Sequence, residues 1–267
     1  MDHSLDLICP QCHGELDWQL EGLQCTVCGA EYPIQGRIPL MFAGPSDDGF
    51  GHDLYHAQFH GNVFERVFHS NRIATLLRLV TQELGLASEA EMLDIGCNTG
   101  PMLVPLRRRG YDVAGIDISV DDVQQAERYL AERRLPAERL SVADGTCLPF
   151  RDQSFDAILL VDILEHTDNP EGIVAETRRL LRPGGIAIAS VPWAYHPYVR
   201  FTWLRKLLSS RTTIDEHPDA PFKLEMLQSL FTDGFESLDT RLVFHWVCIL
   251  GVYRLLPAPV EIGTPTC

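Results

Sequence analysis

Three acidic residues, Asp94, Asp117 and Asp144, each close a short apolar run, and four cysteines stand as two Cys-x-x-Cys pairs, Cys9/Cys12 and Cys25/Cys28. A carboxylate at a strand end can accept hydrogen bonds from a ribose diol or from an exocyclic amine. Four thiolates carried on two tight turns can complete a tetrahedral metal site. A further group sits in "VDILEHTDNP", where Asp162, Glu165 and His166 combine two carboxylates with an imidazole.

The cysteines are unevenly spread, four of eight falling in the first 28 residues. The N-terminal Met-Asp-His-Ser-Leu-Asp carries acid where a signal peptide would carry base. The longest apolar stretch, 242–256, is broken by His245, Gly251 and Arg254 and is short for a bilayer. These features predict a cytoplasmic chain, in which clustered cysteine pairs point to metal more than to disulfides. Residues 14–24 have the length of a short hairpin, and Gly29 suits the left-handed residue of a tight turn. His13 adjoins a ligand, but the four sulfurs already fill the site.

This front segment resembles zinc-ribbon modules that end in a "YPI…G-IP" run, here Tyr32-Pro33-Ile34 and Gly36-Arg37-Ile38-Pro39. A closed four-sulfur site implies a structural zinc whose binding supplies folding energy. Residues 1–42 are the expected extent of the ribbon.

At 267 residues, 45% hydrophobic and 22% charged, the chain has room for one α/β core and a small accessory module. Its net charge of −15 repels a nucleic-acid backbone and directs attention to small-molecule acceptors. The oligomeric state is not written in it.

Elements that would position the acids follow a simple alternation. "AGPSDDGFGHD" (43–53) has linker composition, and Tyr55, Phe59, Val63, Phe64, Val67 and Phe68 recur at helical spacing. His52, His56 and His60, with His69 beyond them, read as partly exposed helix histidines or a lid facing the substrate, with a metal set from the first three as the alternative. A second helix over 73–84 completes a leading segment, 43–90. Strands then fall at 92–95, 113–116, 140–143 and 155–161, with helices at 102–109 and 121–134. A fifth strand ends near Val191, a helix covers 222–231, and two closing strands lie within 235–250. The pattern predicts an α/β, doubly wound, mostly parallel seven-stranded sheet over 91–267, with ligands beyond the strands' carboxyl ends.

"LDIGCNTG", "GIDIS", "ADGTCLPF", "FDAILLVDILEHTDNP" and "LLRPGG" resemble, in order and spacing, the motifs of class I S-adenosylmethionine-dependent methyltransferases, a Rossmann-like fold. The resemblance implies that Asp94, Gly96, Cys97, Asn98 and Gly100 line the methionine end of the cofactor, and that Asp117 and Ile118 meet the ribose. It places Asp144, Gly145 and Thr146 at the adenine, with Val161 beside the cleft. Asn98 stands where the family usually has glycine, and asparagine accepts left-handed geometry; its side chain could also reach the cofactor carboxylate. A nicotinamide dinucleotide would instead set a pyrophosphate on the glycine turn.

For the methyl acceptor, His166 is the candidate base, with Asp162 and Glu165 beside it; the alternative is a structural role in which His166 buttresses the helix start. Asp162-x-x-Glu165-His166 also resembles the metal-binding stretch of small-RNA 2′-O-methyltransferases and ubiquinone-pathway O-methyltransferases. That would imply a second divalent ion, completed by His196 or His217. Residues 193–222 read as a substrate lid. Trp193, Tyr195, Tyr198, Phe201 and Trp203 interleave there with Arg200, Arg205, Lys206 and Arg211, which suits an anionic, glycan- or lipid-linked acceptor. The expected reaction is methyl transfer to oxygen or nitrogen of a small or medium-sized metabolite. The rival readings are an rRNA base methyltransferase with a zinc module and a non-catalytic partner-binding protein.

Overall fold

The computed structural model describes residues 6–19, 22–42, 63–195, 222–243 and 248–257, and over 63–70 the backbone alone. Four short strands, β1 (Leu16–Trp18), β2 (Gly22–Cys25), β3 (Glu31–Gln35) and β4 (Ile38–Pro39), form an antiparallel sheet in sequence order. A larger sheet contains β5 (Glu91–Ile95), β6 (Asp112–Asp117), β7 (Leu140–Val142), β8 (Phe155–Val161), β9 (Leu181–Pro192), β10 (Phe235–Val243) and β11 (Cys248–Leu255). Its spatial order is β10-β11-β9-β8-β5-β6-β7. Strands β5 to β9 pair in parallel, while β11 runs antiparallel to both β9 and β10.

Strand β5 is flanked by β6 on one side and β8 on the other, so the chain reverses its direction of travel there. That is the switch point where open sheets of this kind bind ligands. Ile158, Leu159 and Leu160 in β8 are all fully buried, as expected of a strand covered on both faces. Alternate residues feed two separate cores: Leu93, Ile95, Ile158 and Leu160 join one, Met92, Ala157 and Leu159 the other.

The helices are α1 (Val63–Arg78), which continues as a π turn over Leu79–Glu83, α2 (Leu103–Arg107), α3 (Val120–Glu132), α4 (Pro170–Leu180) and α5 (Leu224–Leu230). The Ser119 hydroxyl caps α3 by accepting from the Asp122 N–H, with Asp121 and Asp122 in the first turn to complement the helix dipole. Val123, Ala126 and Leu130 form its buried stripe. Helix α4 opens on Pro170 and is capped by Asn169, whose side chain accepts from the Gly172 N–H.

The N-terminal sheet does not stand apart. Leu40 bridges Val142 in parallel, and the Met41 N–H donates to the Val142 carbonyl at 2.7 Å, so the chain lies along the edge strand β7. Leu7, Cys9, Leu23, Tyr32 and Met41 share one apolar core with Leu148, Phe150 and Ile95. A module expected to rest on its metal alone thus also borrows core from the larger domain.

Other differences are local. One helix runs through 63–78 where two were expected, because His-Ser-Asn-Arg at 69–72 is polar without containing Pro or Gly. Helix α2 is shorter than 102–109, and β9 begins earlier, at Leu181, taking in the Arg-Pro-Gly-Gly segment. Strand β11 runs to Leu255, five residues past the expected end, because its pairing with β9 continues to Arg254 and Ile186. His52, His56, His60, His196 and His217, and the lid over 196–221, lie outside the described residues. The ends of that segment meet: Trp193 bridges Phe222, and the Ala194 N–H donates to the Phe222 carbonyl at 2.9 Å. No described helix is long and apolar enough to cross a membrane.

Candidate active site and metal centre

A cleft of about 550 Å³ opens beyond the carboxyl ends of β5, β6, β7 and β8. All the residues singled out from the sequence for the cofactor line it except Gly100, and Asp162, Glu165 and His166 line it too. Gly100 shapes the turn instead, with φ +84. Gly96 has φ +74, and a Cβ there would sit 2.4 Å from the Ile163 side chain. Backbone geometry and a close neighbour therefore both call for glycine.

Asn98 adopts φ +47, the left-handed conformation expected of it. Its side-chain Oδ1 accepts from the Thr99 N–H at 2.6 Å, which leaves the Nδ2 amide outside that bond. Its own N–H donates to Asp117 Oδ2 at 2.9 Å, and the Ser119 N–H donates to Asp117 Oδ1 at 3.0 Å. Each Asp117 oxygen is thus oriented by one backbone donor and keeps a lone pair for a ligand. Burial raises the Asp117 pKa, and the Ser119 and Asn98 N–H donors offset part of the rise. Asp94, buried beneath the turn, is pushed up to about 8 by desolvation and then by the Asp117 charge. Asp144 Oδ1 accepts from both the backbone N–H and the hydroxyl of Thr146, each at 2.8 Å. The Asp144 side chain is thus fixed within its own turn.

At the other end of the cleft, Asp162 has φ +52, a conformation non-glycine residues adopt at a cost. Its carboxylate accepts from the Ser190 hydroxyl at 2.8 Å and is ion-paired with Arg72 of α1. Sequence reasoning passed over both partners. Arg72 belongs to no motif, and Ser190 sits in an apolar strand whose pairing with β8 brings it into reach. Desolvation lowers the Arg72 pKa, while the Glu165 charge opposes this.

His166 lies in the turn Leu164–His166 and is partly exposed, its Nε2 3.8 Å from Glu165 Oε1. Among the described residues no second divalent site is assembled at Asp162, Glu165 and His166, and His196 and His217, either of which would complete it, lie outside them. Asp162 is committed to Arg72 and Ser190, and among the described residues only the four cysteines bring three or more ligand atoms together.

Those cysteines do converge: the sulfurs of Cys9, Cys12, Cys25 and Cys28 all lie within 4.8 Å of one another. Cys9 Sγ is 3.6 Å from Cys28 Sγ, and Cys12 Sγ is 3.5 Å from Cys25 Sγ. A tetrahedron with Zn–S bonds of about 2.3 Å has edges of about 3.8 Å, so the donor set fits zinc. The two knuckles share one hydrogen-bond pattern. The Cys9 N–H donates to the Gly14 carbonyl and the His13 N–H to the Cys9 carbonyl; likewise Cys25 to Ala30 and Gly29 to Cys25. The left-handed residue is Gly29 (φ +75) in one knuckle and His13 (φ +57) in the other. His13 is thus a turn residue, and Tyr32, whose hydroxyl is 3.1 Å from Cys9 Sγ, supports the cluster from behind.

Residues 93–189 match the model of a family described as a methyltransferase domain. The chain is 35% identical over 143 residues to the demethylmenaquinone methyltransferase of Tropheryma whipplei (strain Twist), covering 50% of this chain and 59% of that protein. It is 31% identical over 119 residues to the ubiquinone biosynthesis O-methyltransferase of Psychrobacter cryohalolentis, covering 41% and 43%. The chain therefore spans between two fifths and three fifths of these relatives' lengths. Among solved structures, the PH0226 protein of Pyrococcus horikoshii OT3 matches with a TM-score of 0.61 at 22% identity over 78% of this chain and all of that one, which establishes the fold. Residues 93–189, set on this sheet and cleft, form a methyltransferase domain.

Proposed function

We propose that the chain transfers a methyl group from S-adenosylmethionine to an oxygen of a small molecule, and that its four N-terminal cysteines hold a structural zinc ion. One observation carries the first part: Asp94, Asp117 and Asp144 line one cleft at the switch point of the sheet. Bound there, S-adenosylmethionine would supply an electrophilic methyl on a sulfonium. Asp117, pre-set by the N–H groups of Asn98 and Ser119, accepts from the ribose hydroxyls. The Asp144 turn receives the adenine amine, and Asp94, whose pKa is raised to about 8, meets the cationic end by giving up its proton.

The acceptor enters beside Asp162, Glu165 and His166. Asp162 is held by Arg72 and Ser190, so its role is positioning. His166, partly exposed at the mouth, takes the hydroxyl proton as the new bond forms. Oxygen is favoured over nitrogen because one relative's name specifies an O-methyltransferase, and both relatives are named for quinone compounds. A phenolic, quinone-like acceptor follows. Nucleic acid does not suit a chain of charge −15 whose cleft is lined by carboxylates.

The test is label transfer from methyl-labelled donor to a panel of phenols, hydroquinones, phosphorylated sugars and RNA. Transfer to phenolic oxygen, lost in His166→Ala with donor binding intact, supports the assignment. Transfer to RNA alone, or to none of the panel despite tight donor binding, refutes it.

A further inference from the structure

The cysteine module does more than sit beside the cleft. Its backbone is tied into the turn that carries Asp144. The Asp144 carbonyl accepts from the Cys147 N–H at 3.0 Å, and the Cys147 thiol donates to the Pro10 carbonyl at 2.9 Å. Pro10 lies between Cys9 and Cys12, inside the first knuckle. Two hydrogen bonds therefore connect a turn shaped by the metal ligands to the residue assigned to the adenine.

This link is one strut of several. The Ile8 N–H donates to the Pro149 carbonyl at 3.0 Å, and Leu7 bridges Phe150. Met41 is bonded to Val142 at the start of the turn. Arg151 reaches back to Asp6 at 3.1 Å and to both oxygens of Glu15 at 2.7 Å.

Glu176 of α4 also accepts from the Leu148 N–H at 2.8 Å, and Arg179 donates to the carbonyls of Leu148 and Phe150. Helix α4 and the cysteine module thus both brace 142–151. Along most of a parallel sheet both neighbours are strands; here the outer neighbour of β7 is the ribbon.

We infer that metal at Cys9, Cys12, Cys25 and Cys28 acts as a brace for the adenine end of the cleft: by fixing the first knuckle it fixes the Asp144 turn, and so sets affinity for the nucleoside. This rests on the cofactor assignment made above. The energetic route is preorganisation. A turn that samples its binding shape only part of the time lowers apparent affinity by that fraction. If loss of the brace leaves the turn correctly placed about one tenth of the time, the apparent Kd rises about tenfold.

The experiment uses the full chain, zinc-loaded and chelator-stripped, with S-adenosylhomocysteine as the probe. Calorimetry reads Kd, and hydrogen exchange reads 142–151 against the distant strand β9 as an internal control. The expected result is about a tenfold weaker Kd on stripping, with faster exchange confined to 142–151 and the module itself. Because stripping could unfold the chain, Cys147→Ala and Arg151→Ala are combined in a variant that keeps all four ligands. It should retain full zinc yet bind the probe several-fold more weakly, and Cys147→Ser, which keeps a donor, should restore part of the loss.

Equal affinity for the probe in folded loaded and stripped protein, or exchange at 142–151 unmoved by both treatments, overturns the brace while leaving the cofactor assignment standing. A loaded, folded chain that binds no probe removes both. A chain that takes up no zinc removes the brace alone.

Discussion

Arg72, on the helix that precedes the sheet, is ion-paired with Asp162, at the carboxyl end of β8, and the two side chains are only 12% and 18% exposed. This pair joins the leading helix to the Asp162 end of the cleft. Replacing Arg72 with Met leaves a largely desolvated carboxylate without its cation, for which a loss of about 3 kcal/mol is expected. Adding Asp162→Asn should recover a substantial part, since Asn keeps the left-handed backbone and the bond from Ser190. Urea unfolding of the two single variants and the double variant measures the coupling. Strictly additive losses would mean the pair contributes nothing to the fold.

Asn98 offers a backbone test. At φ +47, Asn98→Gly should leave stability within about 0.5 kcal/mol of wild type, while Asn98→Ala should cost about 1–2 kcal/mol. The Ala variant also loses the side-chain acceptor for the Thr99 N–H. Equal stability of the two variants would show that the turn relaxes out of this geometry.

Asp117 is oriented by two backbone donors before any ligand arrives. Asp117→Asn replaces one acceptor oxygen by a donor and sets an N–H against one of those donors. Affinity for S-adenosylhomocysteine should fall by about 10- to 100-fold, with little change in affinity for free adenine. Calorimetry on both ligands separates a ribose contact from general damage to the cleft.

The pH dependence follows from Asp94, whose pKa is raised to about 8 by burial and by the Asp117 charge. Below that value the empty cleft holds a proton that a cationic ligand must displace. Affinity for S-adenosylmethionine should therefore rise with pH up to about 8 and level off above it, gaining up to about tenfold per unit in the steep region. Proton release, read by titrating in buffers of different ionisation enthalpy, should vanish in Asp94→Asn. A flat profile in wild type would contradict the assignment.

The parts of this molecule that sequence alone disclosed are those set by short-range chemistry. Continuous apolar runs ending in Asp94, Asp117 and Val161 marked strands buried on both faces, and these places held in the structure. Asn98 could be read as left-handed because so few residue types tolerate that geometry. Arg72 could not be read, since nothing in its neighbourhood announces that its side chain will reach Asp162. The same applies to the Leu40–Met41 pairing with β7, which depends on where two separate modules meet. His13 was noticed for its imidazole, yet its backbone angle is what matches Gly29.

The proposed function requires a sulfonium nucleoside lying across the ends of β5, β6 and β7. A crystal structure of the chain soaked with S-adenosylhomocysteine tests it most directly. The account predicts the ribose hydroxyls on Asp117, the adenine beside the Asp144 turn, and the sulfur facing Asp162 and His166. Density for the nucleoside elsewhere, or a cleft left empty at saturating ligand, would contradict it.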